Sequence, residues 1–141
     1  MPVVAGIDDS PVSRLVIEKA LEQARWRGTE LKLVHVLHLP MVDTGVLVDW
    51  KKVAAAQRDA VWAAADSHIA DADVTVERVD LDGYPPDALV EYATEVEASL
   101  LVVGTRARGE LASLILGSTS HRATYLASCD VLVVKSGVRE G

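Results

Sequence analysis

The sequence predicts an α/β fold built on a single doubly wound, five-stranded parallel sheet with helices on both faces. Three observations predict it. Short aliphatic runs alternate with longer segments whose apolar residues recur at helical spacing. The runs are Val/Leu-rich throughout, the mark of parallel strands buried on both faces. The 141 residues also have the length of one domain, spanning residues 1–141.

The elements follow in order. Val3 to Ile7 reads as a first buried strand. Ser10-Pro11 offers an N-cap and a proline at the first helical position. Val12, Val16, Ala20 and Ala24 then trace a helix face that Gly28 closes. Leu31 to Leu37 is a second strand, followed by a loop from Pro40 to Gly45. Leu47, Trp50, Val53, Ala54, Gln57, Val61, Ala64 and His68 mark one face of a long second helix. Val74 to Val79 is a third strand, less apolar and so expected at or near an edge. Gly83 to Asp87 breaks the chain, and Leu89, Tyr92, Ala93 and Val96 trace a third helix. Leu100 to Val103 is the most apolar strand and is expected to be central. A loop, a helix opening near Ser118 and a last strand from Val131 to Val134 complete the order. Strands alternating with helices in this way give a parallel sheet whose ligands sit at the strands' carboxyl ends, where the strand order reverses.

Composition narrows the partners. The net charge of −7 argues against nucleic acid and against an anionic membrane surface. No apolar run approaches the length of a membrane helix. Cys129 is the lone cysteine and suits a reducing compartment. The chain enters strand residues without a basic, apolar leader. A cytoplasmic setting is expected.

The segment after the fourth strand carries the chemistry. Gly104-Thr105-Arg106-Ala107-Arg108-Gly109 and Leu116-Gly117-Ser118-Thr119-Ser120 are two glycine turns, the second opening a helix. Glycine lets backbone amides converge on an anion, and a helix N-terminus adds free N–H groups and positive charge. Ser118, Thr119 and Ser120 add hydroxyls. Between Gly104 and Ser128 stand Arg106, Arg108 and Arg122 against a lone acid, Glu110, within an acidic chain. That charge reversal suits a polyphosphate. The competing reading of the same residues is a solvated turn with a serine cap.

Gly104-x2-Ala107-x9-Gly117-Ser118 resembles the Gly-x2-Gly-x9-Gly-Ser/Thr signature of the ATP-binding branch of the universal stress protein family. Val-Val-Ala-Gly-Ile-Asp-Asp-Ser-Pro at the start is similar to that family's opening. Leu33 to Val36 resembles its second strand, and Val131 to Lys135 its last. The resemblance implies a Rossmann-like fold of the adenine nucleotide alpha hydrolase type. It also implies a regulatory, stress-response module holding ATP, with AMP and ADP as alternatives, together with Mg²⁺. Gly6 and Asp8 would border the adenosine, and the main chain of Val36 would meet adenine. Gly104, Arg106, Ala107, Arg108 and Gly109 would wrap the phosphates from one side, and Gly117, Ser118, Thr119 and Ser120 from the other. A homodimer joined at the last strand is implied too, and an aliphatic strand at a sheet edge asks for such pairing. Three positions depart from the pattern. Ala107 replaces a glycine, at about 1–2 kcal/mol if the site requires positive φ; Asp9 adds negative charge; Asp130 replaces a proline.

Other classes stay in view. Asp8, Asp9, Asp80, Thr105 and Lys135 also resemble the residues of a phospho-acceptor receiver. A nucleotide-free dimeric interaction protein and a slow ATPase or autokinase remain alternatives. Neither a catalytic triad nor a Walker lysine loop is visible. His35, His38, His68 and His121 read as structural, Cys129 as a small core residue, and Trp26, Trp50 and Trp62 as packing residues.

Overall fold

A computed structural model describes residues 1–37, 50–105 and 118–135. In chain order the elements are β1 (Val3–Ile7), α1 (Ser13–Arg27), β2 (Leu31–Leu37), α2 (Trp50–Ile69), β3 (Val76–Asp82), α3 (Pro85–Glu95), β4 (Leu100–Gly104), α4 (Ser118–Leu126) and β5 (Asp130–Val134). All strand pairs are parallel, in the order β3-β2-β1-β4-β5. The chain runs outward from β1 through β2 to β3, then returns to the other side of β1 for β4 and β5. The strand order therefore reverses between β1 and β4. A receiver has its first strand between the second and third, so this order excludes that reading. β1 holds the middle of the sheet, β4 lies beside it, and β3 and β5 are the edges.

Two aliphatic clusters sandwich the sheet. Val3, Ala5, Leu31, Leu33, Leu100 and Val102 face α1 and α2. Val4, Val34, Leu101 and Val103 face α3 and α4. Alternation along each strand assigns the faces, and all ten of these side chains are at most 4% exposed.

Helix α1 buries Val16, Ala20 and Ala24 as its spacing predicts, and Gly28 ends it in the left-handed conformation at φ 62°. Its start differs from expectation. Val12, not Ser10, holds the N-cap position, and no side chain caps the helix. The Asp8 carboxylate takes over that turn. Asp8 Oδ1 accepts the Ser10 amide at 2.8 Å. Ser13 Oγ accepts the Asp8 amide at 2.9 Å and lies 2.9 Å from the Asp8 carbonyl and 3.1 Å from Oδ1. The chain is thereby folded back before the helix begins.

Helix α2 also departs from its predicted face. Ala54 and Val61 are buried as expected, but Val53, Gln57 and Ala64 are exposed, while Trp62 and Ala65 are buried. So many alanines blur the periodicity that the predicted list mixed two faces. Leu47 lies outside the described residues, as do His38 and the loop from Pro40 to Gly45. Trp62 packs in the core as read, whereas Trp26 is 70% exposed. β3 begins two residues later than predicted and extends through Asp80 and Asp82, because an edge strand tolerates acids on its exposed positions. Cys129 is half-buried among the residues facing α3 and α4, and burial pushes its thiol pKa up. Among the described residues, no helix is long and apolar enough to cross a membrane.

Candidate functional site

A cavity of about 170 Å³ opens at the carboxyl ends of β1, β2 and β4, where the strand order reverses. Of the sequence-predicted site residues, Gly6, Asp8, Val36, Gly104 and Thr119 line it. They come from four separate segments of the chain. Ser120 is fully buried inside α4 and does not line the cavity. Ser118 is the first residue of α4. Arg106, Ala107, Arg108, Gly109 and Gly117 lie outside the described residues.

Two glycines in this wall are required by packing. A Cβ on Gly6 would stand 2.6 Å from Leu89 Cδ1, and one on Gly104 would stand 2.6 Å from Val12 Cγ1 and 3.0 Å from Val16 Cγ2. Gly6 thus lets α3 approach the sheet, and Gly104 does the same for the start of α1. The same lack of side chains leaves room at the strand ends.

Asp8 is held by its own turn through Oδ1, so it is positioned rigidly at the cavity rather than hung from a mobile loop. Arg122, counted in the sequence with the phosphate-facing arginines, is engaged elsewhere. It reaches Asp87 at the start of α3, with Nε at 3.1 Å and Nη2 at 3.0 Å, and its guanidinium lies 5.8 Å from the centre of the Tyr84 ring. This contact ties the first turns of α3 and α4 together beside the cavity.

The sequence motif missed Ser10, His35 and Gln57, which also line the cavity. Ser10 Oγ and His35 Nδ1 are buried without a hydrogen-bond partner. Burial lowers the His35 pKa from its ordinary value, opposed by the charges of Asp80, Asp8 and Asp9 and assisted by that of Arg58. Strand alternation could have placed His35 on the face toward α1 and α2, but nothing local reveals a cavity there. Among the described residues, no group of three or more His, Cys, Asp or Glu side chains is placed to hold a metal ion.

The family model described as "Universal stress protein family" matches residues 1–135. The chain belongs to the universal stress protein family. A universal stress protein of Mycobacterium tuberculosis strain H37Rv is 35% identical over 140 residues, covering 95% of this chain and 45% of the relative. The chain therefore spans about half the length of that relative. The universal stress protein YxiE of Bacillus subtilis is 26% identical over 144 residues, covering 94% of this chain and 97% of its own. Among solved structures, a universal stress protein in complex with cAMP superposes with a TM-score of 0.72 at 31% identity, covering 95% of this chain and 96% of that one. The universal stress protein of Archaeoglobus fulgidus in complex with dAMP gives 0.72 at 28% identity, covering 96% and 98%. This universal stress protein thus has the parallel α/β, Rossmann-like sheet that the sequence predicted.

Proposed function

We propose that this universal stress protein binds an adenine nucleotide in the cavity at the β1/β4 reversal and acts as a regulatory stress-response module. The reading takes ATP as ligand, with AMP and ADP as alternatives and Mg²⁺ arriving with the polyphosphate. One observation carries it: Gly6, Asp8, Val36, Gly104 and Thr119, distant in sequence, converge on one cavity at the point where doubly wound sheets bind ligands. The buried, unpartnered Ser10 Oγ in the same wall fits a site completed by a polar ligand. The two superposing relatives in complex with cAMP and dAMP support the adenine class.

In this reading Gly6, Asp8 and Val36 border the nucleoside. The start of α4, with Ser118 and Thr119, takes the phosphates by its backbone amides and positive dipole end, while Ser120 is buried within the helix. Arg106, Ala107, Arg108, Gly109 and Gly117 close the phosphate side. Residues 1–141 act as one nucleotide-binding domain, and the lone Cys129 suits a cytoplasmic setting. A second copy pairs along β5, an edge strand whose Val131, Leu132 and Val133 are only half-buried.

Calorimetric titration with ATP, ADP and AMP, with and without Mg²⁺, tests the ligand. Saturable binding that Gly117→Glu abolishes is the expected result, and no binding of any of the three at millimolar concentration overturns the reading. ADP accumulating above a protein-free blank would move the protein to the slow ATPase class. Light scattering should give twice the chain mass, with Val133→Pro shifting it toward monomer.

A further inference from the structure

His35 lies at the carboxyl end of β2, directly across from Ile7 on β1 and Asp80 on β3. It is 3% exposed. Its Nδ1 stands 3.9 Å from Asp80 Oδ1, beyond hydrogen-bond reach, and is buried without a partner. The same Oδ1 accepts the Trp62 indole N–H at 2.8 Å, so α2 holds the Asp80 carboxylate in place. A carboxylate oxygen only accepts, so of the two neutral tautomers its charge favours the one with the hydrogen on Nδ1. In that tautomer the other ring nitrogen is an acceptor.

The surrounding charges are asymmetric. Asp80 on β3 and Asp8 and Asp9 on the turn after β1 favour a proton on the ring, while Arg58 on α2 opposes it. Arg78 and Asp82 flank Asp80 on the same face of β3. Arg78 is committed to Asp66 and lies over the Trp62 ring at 5.5 Å. From α1 the cavity receives only Ser13 and Val16 among the described residues. The titratable side chains among the described lining residues are Asp8, Asp9 and His35.

We propose that His35 is a further binding residue of this cavity, and that filling the cavity with an anionic nucleotide is coupled to uptake of a proton by its ring. The proposal rests on the adenine-nucleotide reading above. An anion brought beside Asp8 and Asp9 adds negative charge to a wall already acidic. The histidine is the lining group whose ordinary titration lies nearest neutrality. Taking a proton from solvent, it closes the gap to Asp80 with a charge-assisted hydrogen bond. Its second nitrogen turns from acceptor to donor. Because the bound state holds the proton more tightly than the free state, affinity rises as pH falls through the histidine range and is flat above it.

Calorimetry with AMP and with ATP, in pairs of buffers with different ionisation enthalpies at about pH 6 and about pH 8, counts the protons. The wild type should take up a fraction of a proton approaching one at the lower pH and bind up to about tenfold tighter there, the effect of one pKa unit. His35→Gln should bind with no uptake and little pH dependence. Binding of the wild type without proton exchange, or uptake unchanged in His35→Gln, overturns the proposal. If His35→Gln does not fold, Asp80→Asn should reduce the uptake by removing the counter-charge, and undiminished uptake there overturns it equally. Nitrogen NMR of the imidazole with inorganic pyrophosphate separates this proposal from the nucleotide reading. A ring pKa raised by pyrophosphate in a protein that binds no nucleotide supports the coupling and sinks the nucleotide. A ring moved by neither pyrophosphate nor nucleotide sinks the coupling.

Discussion

The two faces of the sheet end differently. Toward α3 and α4 the strands are aliphatic at Val4, Val34, Leu101 and Val103, sealed by Leu89, Ala93 and Ala123, and the Lys32–Glu77 ion pair stands at the amino-terminal edge. Toward α1 and α2 the amino-terminal half is aliphatic, but the carboxyl ends carry His35, Asp80 and Gly104, with Trp62 and Ser10 against them. Burying polar groups in an aliphatic layer costs free energy unless each finds a partner. Among the described residues three side-chain atoms do not: Ser10 Oγ and His35 Nδ1 in the cavity wall, and Ser99 Oγ just ahead of β4. One face is built for stability, and the other gives some of it up where the strands end.

Four measurements break or sharpen that contrast. Leu101→Ala, on the sealed face at 0% exposure, should cost about 2–5 kcal/mol in urea unfolding. A smaller loss would mean that α3 and α4 collapse readily onto the gap. Gly104→Val should cost about 1–3 kcal/mol by overpacking against Val12 and Val16, whose branched side chains have few rotamers to retreat into. An unchanged urea midpoint would show that the turn into α1 can move away from the sheet.

The pH dependence of the free protein should also belong to the polar face. The folded His35 pKa lies below the unfolded value near 6.5, so the unfolded chain takes the proton first on acidification. Its contribution to stability is therefore present above about pH 6.5 and is lost as pH falls toward the depressed folded value, at no more than about 1.4 kcal/mol per pH unit. His35→Leu should flatten that slope in unfolding curves recorded across the interval; an unaltered slope assigns it to other groups. The smallest effect is expected at Arg122→Ala, about 0–1 kcal/mol, since Arg122 and Asp87 are each about half exposed. A loss well above that would make the α3–α4 tie a structural clamp.

Much of the fold was legible because its signals are local. The aliphatic runs of β1 and β2 mark their own ends, and Gly28 marks its own cap. The misreadings share a physical cause, namely competition between local rules and distant partners. Ser10-Pro11 satisfies the rule for a helix start, yet the Asp8 carboxylate captures the turn first. Asp80 looks foreign to a strand until the Trp62 indole, 18 residues away, is seen to meet it. The site divides in the same way. Gly6, Asp8, Val36, Gly104 and Thr119, to which the family resemblance pointed, line one cavity. His35 could not be found from the linear sequence, because its meaning depends on what the sheet lays beside it.

Gly104 illustrates how two constraints can fall on one position. Its missing side chain seats the start of α1 against the sheet and also leaves the strand end open to the cavity. Any substitution that silenced ligand binding there would disturb the helix seat as well, so a loss-of-binding variant at this glycine carries two explanations at once. Invariance of such a residue among relatives would be equally ambiguous, since a chain that had abandoned its ligand would still need the glycine to fold. The persistence of a nucleotide motif in this architecture is thus weaker testimony to a nucleotide than its length suggests. Thr119, whose side chain is not needed to bring α1 to the sheet, is the better witness.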